Sequence, residues 1–228
     1  MLTPLQLQIR QIVASLPGAE DLALAGGGAL IVHGIVDRET RDLDFFSSSP
    51  EKVDQLLPFV EQALRDASLV VERLRVAEGF AQLSVASASE TTTIDLAWDP
   101  RLLPPTVTAE GPLLAEEEVA AGKVLALFGR AEARDFVDVL ALESRYGLDH
   151  LCQLAAEKDP GFDRTVLAEM MNRIDRLPRN EFGIEDAEYD RLKRRVELLR
   201  DELLGFDREP PGRSTKPSPR REPPSLGL

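Results

Sequence analysis

The sequence predicts an α+β fold, with a mixed or antiparallel sheet flanked by helices and followed by a mostly helical C-terminal lobe. Three observations carry this. The apolar run Leu22 to Ala25 breaks into Gly26, Gly27 and Gly28, and the apolar stretch Ala29 to Val36 that follows has helical promise. Three strand-like runs, 69–76, 80–86 and 91–98, are divided by short separators, which favour antiparallel neighbours. From residue 116 onward apolar side chains recur at helical spacing. The expected boundaries are 1–105 for the sheet lobe, 106–206 for the helical lobe and 207–228 for a disordered tail, rich in proline, arginine and serine and lacking an apolar stripe.

A chain of 228 residues can bury a core without staples, and 43% hydrophobic content is ordinary for a soluble globular protein. Cys152 stands alone, so an internal disulfide is excluded and a buried, inert thiol is expected. No signal-like start and no apolar run of spanning length is present, so the expected location is cytoplasmic, away from the membrane. The net charge of -13 disfavours broad, nonspecific nucleic-acid binding and requires any such partner to meet a local basic patch.

Taken in order, residues 3–16 place Leu5, Ile9, Ile12, Val13 and Leu16 at helical spacing behind Thr3-Pro4, a suitable cap and first position. After the glycines, the segment Asp42-Leu43-Asp44-Phe45-Phe46 alternates at strand period. Leu43 and Phe45 therefore face a core while Asp42 and Asp44 emerge side by side on the other face. Residues 51–67 read as an amphipathic helix through Val53, Leu56, Leu57, Val60 and Leu64, with Pro58 as a point of bending. In the run 91–98, Ile94, Leu96 and Trp98 share one face and Thr93, Asp95 and Ala97 the other. The proline-rich segment 99–115 reads as the crossing into the helical lobe.

In the helical lobe, one unbroken helix from 116 would set Arg130 and Arg134 about 20° to either side of Lys123. Gly129 is a possible break. Residues 149–158, 163–175 and 186–204 are helical by periodicity, and the basic cluster Arg191, Lys193, Arg194 and Arg195 is either a site for an RNA acceptor or, the favoured reading, a solvated face, because acids follow it at helix-pair spacing. His33 and His150 have no metal-ligand spacing and read as structural.

The chemistry lies in residues 21–46. Glycines let a ligand approach the main chain, and the helix start that follows offers unpaired N–H groups, so a phosphate is the natural guest of Gly26, Gly27 and Gly28. Two neighbouring carboxylates repel unless a cation lies between them. Mg²⁺ suits Asp42 and Asp44, since it takes oxygen ligands and is commonly shared with substrate phosphates.

The segment GGGALIVHGIVDRETRDLDFF resembles the AbiEii/AbiGii toxin family within the DNA polymerase β-like nucleotidyltransferases, whose pattern runs GGTAL, a gap, then R-x-S/T-x-D-I/L-D-F-F. The block K-x6-R-x3-R-D-x2-D from Lys123 to Asp138 is similar to the family's second block, so the resemblance covers roughly residues 20–145. It implies a polymerase β-like lobe in which Asp42, Asp44 and Asp95 hold two Mg²⁺ ions. It further implies that Lys123 and the glycine turn bind the triphosphate of an NTP, Arg38 braces the loop or touches phosphate, and Arg130 and Arg134 line the cleft with Asp135 or Asp138 as supporting acid. The implied reaction is transfer of NMP to an acceptor hydroxyl, a tRNA end in some members, by a toxin with a cognate antitoxin. Gly28 replaces the family's usual Thr or Ser, removing a hydroxyl that could contact nucleotide. Competing readings are a weakly active nucleotide- or antitoxin-binding scaffold, and a transferase acting on a protein or small antibiotic hydroxyl.

Overall fold

A computed structural model of the chain describes residues 1–205, and the tail expected at 207–228 lies outside them. Helix α1, Pro4–Ala14, starts with a capping box in which Thr3 accepts from the Gln6 amide and the Gln6 side chain accepts from the Thr3 amide. Strand β1, Ala23–Ala25, is wholly buried and runs directly into α2, Gly26–Val32. Strand β2 is Asp42–Ser47, and α3, Pro50–Asp66, continues through Pro58. Strands β3, Val70–Ala77, β4, Phe80–Ala86, and β5, Thr91–Trp98, form an antiparallel meander.

Two short strands, β6, Thr106–Thr108, and β7, Gly111–Leu113, arise in the proline-rich stretch that reads from sequence as a crossing. They form a hairpin, and β7 pairs parallel with β1. The sheet layer thus runs to Leu113, beyond the expected boundary at 105. The sheet order is β3-β4-β5-β2-β1-β7-β6. Strand β2 joins β5 in parallel and β1 in antiparallel pairing, so the sheet is mixed.

The two faces of the sheet differ. Leu43, Phe45, Ala81, Leu83, Val85, Ile94 and Leu96 point to one face and are buried beneath α1 and α3. Asp42, Asp44, Gln82, Ser84, Thr93, Asp95 and Ala97 point to the other and are only half-buried. Trp98 departs from the expected core face: it is half-exposed at the strand end, and its indole N–H donates to the Ser48 carbonyl at 3.2 Å.

Helices α4, Glu116–Gly129, α5, Ala133–Tyr146, α6, Leu148–Lys158, α7, Arg164–Met171, and α8, Asp186–Leu203, build the rest. They are packed to the sheet through α2 and α4, and one continuous core joins both regions. The helix expected at 163–175 is α-helical only to Met171 and finishes as a 3₁₀ turn, Asn172–Arg176. Among the described residues no helix is long and apolar enough to cross a membrane.

Candidate active site

The site forms where α2, β2, β5, α4 and α5 meet. Asp44 on β2 is the direct parallel partner of Asp95 on β5, and Asp42 that of Thr93, so one face of two adjacent strands carries all three carboxylates. Burial first, then the negative charges of Asp42 and Asp95, push the Asp44 carboxyl up to about 6 despite opposition from Lys123 and Arg134. Asp95 is also pushed up, by burial and by Asp42, while a hydrogen bond from Gln82 works the other way.

Gly26 stands over Asp44. Its φ is +55°, and a Cβ built there would lie 1.7 Å from Asp44 Oδ2, so a side chain is excluded by both backbone and space. Gly27 faces Arg38 Nη2 and Thr40 Oγ1, each 3.1 Å from where its Cβ would be. Gly28 looks the other way. Its Cβ direction meets Leu24 Cδ1 at 3.2 Å and Leu43 Cδ2 at 3.3 Å, so a Ser or Thr there would point into the core.

The expected face of Lys123, Arg130 and Arg134 on one helix is not formed. Helix α4 ends at Gly129, Ala131 takes a positive φ of 48°, and α5 begins afresh behind a capping box made by Glu132 and Asp135. Arg130 grips the fully buried Asp135 with two bonds of 2.9 Å, which clamps this corner. Arg134 consequently lies in the first turn of α5, where its Nη1 donates to Asp42 Oδ2 at 3.2 Å.

Lys123 is nearly buried on α4, and its Nζ lies 2.9 Å from Asp138 Oδ2. Asp138, fully buried on α5, also accepts two bonds from Arg38, at 3.0 and 2.8 Å. One carboxylate therefore ties the α2–β2 loop to both helices. Next to it a cavity of about 900 Å³ is lined by Arg38, Arg41 and Arg134 together with the acids Asp37, Glu39, Glu132 and Glu181.

Two contacts at the acids were not foreseen from sequence. Gln82 Nε2 donates to Asp95 Oδ1 at 2.9 Å from the antiparallel neighbour β4, and Thr40 Oγ1 donates to Asp42 Oδ1 at 3.1 Å. The hairpin register across Ser87 to Glu90 was the available signal for Gln82, since it sets Gln82 opposite Asp95. Away from the site, His33 bonds the Leu114 carbonyl, His150 pairs with Glu117, and burial pushes the Cys152 thiol up to about 11. Lys193 pairs with Asp175 and Arg195 with Glu143.

The donor set at Asp42, Asp44 and Asp95 is oxygen only, and after burial the Asp42 charge helps raise the proton affinity of both Asp44 and Asp95, the chemistry that suits a hard divalent cation such as Mg²⁺. Among the described residues no three acid, histidine or cysteine side chains are already drawn into a metal-sized cluster. Arg134 and Gln82 instead engage the outer two carboxylates.

A family model described as nucleotidyl transferase AbiEii toxin, type IV toxin–antitoxin system, matches residues 11–210. No curated protein matches the chain. Among solved structures, a candidate nucleotidyltransferase from H. pylori aligns with a TM-score of 0.54 at 18% identity, covering 89% of this chain and 96% of its own. The protein JHP933 from Helicobacter pylori aligns with the same TM-score at 19% identity, covering 90% of this chain and 96% of its own. At such identity these two show a shared fold.

Proposed function

The chain belongs to the AbiEii nucleotidyl transferase toxin family and is a nucleotidyltransferase, and from that premise we propose that it moves an NMP from an NTP to an acceptor hydroxyl on tRNA in a Mg²⁺-dependent reaction. The observation that carries this reading is the parallel register of Asp44 with Asp95 beside Asp42, with the Asp44 carboxyl raised to about 6 by burial and by its acidic neighbours.

Asp42, Asp44 and Asp95 would hold the metal. When bound, Mg²⁺ would neutralise charge on the triphosphate and stabilise the entering and leaving oxygens. The amides of Gly26 to Gly28 and the Lys123 ammonium would receive the phosphates, and Arg38 and Arg41, which line the adjoining mixed-charge cavity, would add cations beside them. Asp95, on β5 beside the open strands β4 and β3, would take the proton from the acceptor hydroxyl. The acceptor oxygen then bonds to the α-phosphorus as the bond to pyrophosphate breaks, and pyrophosphate leaves. Arg134 would move from Asp42 to the phosphates as the site fills, exchanging one anionic partner for another. Asp138 holds Lys123 and Arg38 in place throughout. As the family is one of toxins, the expected regulator is an antitoxin protein.

The test offers each of the four α-labelled NTPs with purified tRNA and with cell lysate to the wild type, Asp44→Ala and Asp95→Ala, with folding checked by circular dichroism. The expected result is label on tRNA from wild type only. Equal, background labelling by all three would support a binding scaffold, and label on a protein or small molecule would overturn the tRNA acceptor.

A further inference from the structure

We propose that the open face of β3, β4 and β5 is the platform on which a single-stranded RNA 3′ end lies as its terminal hydroxyl meets Asp95. The proposal deepens the reading above and rests on it for the identity of the reacting group.

The register places one row of side chains across four strands. Arg75 on β3 is partnered with Gln82 on β4, Gln82 with Asp95 on β5, and Asp95 with Asp44 on β2. In the next row, Phe80 and Phe46 stand on either side of Ala97, two strand spacings apart, roughly 10 Å. The small side chain of Ala97 keeps the row low between the two ring positions, with Phe46 packed against the core and Phe80 half-buried on the open side.

The edge strand is irregular in a way that serves this face. Arg73 is opposite Leu83, which faces the core side, whereas Arg75 is opposite Gln82, which faces the acids. Two residues apart on a regular strand would share a face. A bulge between them turns Arg73 toward Glu61 on α3, with bonds of 2.6 and 2.8 Å, and frees Arg75 for the open side. There its guanidinium lies 5.5 Å from the centre of the Phe80 ring and has no carboxylate partner among the described residues. The helices that pack on β3 to β5 are α1 and α3, both on the opposite face.

An aromatic ring capped by an arginine, continuous with the reacting acids and open to solvent, is the chemistry that holds a base by stacking and its phosphate by charge. Glu72, directly opposite Ser84 on the same face, sets a negative charge one row from the single cation Arg75, so the platform fits a few nucleotides at an end and not a duplex.

The test measures binding of a 5′-fluorescein single-stranded RNA with a free 3′ end to wild type, Arg75→Glu and Phe80→Leu at fixed low salt. NTP binding and thermal unfolding are followed in parallel, and Phe80→Leu keeps packing while removing the ring. RNA affinity is expected to fall about tenfold or more in each variant with NTP affinity and folding unchanged. RNA binding unchanged in both variants would overturn the platform, even if the wild type labels RNA. RNA binding lost in the variants of a chain that transfers nothing to RNA would leave the platform standing and overturn the transfer. A wild type that labels protein and binds no RNA would overturn both.

Discussion

Asp44 on β2 stands directly across from Asp95 on β5 in a parallel pairing, and the two strands meet nowhere near each other in sequence. Burial of the Asp44 charge, joined by repulsion from Asp42 and Asp95, is a stability cost built into the fold. A carboxyl whose folded pKa is about 6 against an unfolded value near 4 weakens folding progressively from about pH 4 to pH 6, and the penalty is complete above that. In chelator at pH 7, Asp44→Asn should therefore stabilise the chain by about 1–2 kcal/mol. The same change should abolish nucleotide transfer. Calorimetry with EDTA checks the first half, and an unchanged or lowered Tm would contradict it.

The same carboxyl sets a pH dependence for metal uptake. Protons compete with the cation once the pH falls through about 6. Mn²⁺ affinity, followed by paramagnetic resonance as a Mg²⁺ substitute, should be flat above about pH 7 and fall roughly tenfold per unit well below 6. A profile level down to pH 4.5 would place the cation away from Asp44.

Removing the buried anchor Asp138 strands two cations. Arg38 and Lys123 would both lose a partner that is itself fully buried. Asp138→Ala should cost about 3–5 kcal/mol in urea unfolding, and Asp138→Asn, which keeps an acceptor oxygen, noticeably less. A loss below about 1 kcal/mol for the alanine would mean that water replaces the carboxylate.

Acid stability should trace to Asp21, outside the site. Burial disfavours its charge, yet bonds from Ser47 Oγ and from the Ser48 amide and hydroxyl, with the Arg101 guanidinium 2.8 Å away, hold the carboxyl down to about 2. A depressed acid stabilises fully above its unfolded pKa near 4 and loses that contribution as pH drops to about 2. Asp21→Asn should cost about 1–2 kcal/mol at pH 6 and only a small fraction of that at pH 2. Equal losses at both pH values would contradict the charge argument.

The glycines should respond unequally. Gly26→Ala meets Asp44 Oδ2 and an unfavourable φ, so both stability and metal binding should suffer. Gly28→Ser, which restores the family's hydroxyl, should leave nucleotide affinity within about twofold, since the side chain points at Leu24 and Leu43. Isothermal titration with a non-hydrolysable NTP distinguishes them, and a marked gain for Gly28→Ser would place its hydroxyl in the cleft.

Local patterns in the sequence determined much of this protein. Alternation put Leu43 and Phe45 in the core and Asp42 and Asp44 on the other face, and the meander strands and the start of α1 followed from spacing and caps. These are properties of neighbours along the chain, where side-chain period alone decides which face is buried.

Tertiary structure decided what the chain brings together from a distance. The seating of β5 beside β2, the addition of β7 to the sheet edge, the break that sends Arg134 to Asp42, the turning of Arg75 by a bulge and the burial of Asp138 between Arg38 and Lys123 have no signature in a single segment. Each is fixed by which pairing of distant strands and helices buries the most apolar surface while satisfying buried charge, a quantity defined only for the folded whole.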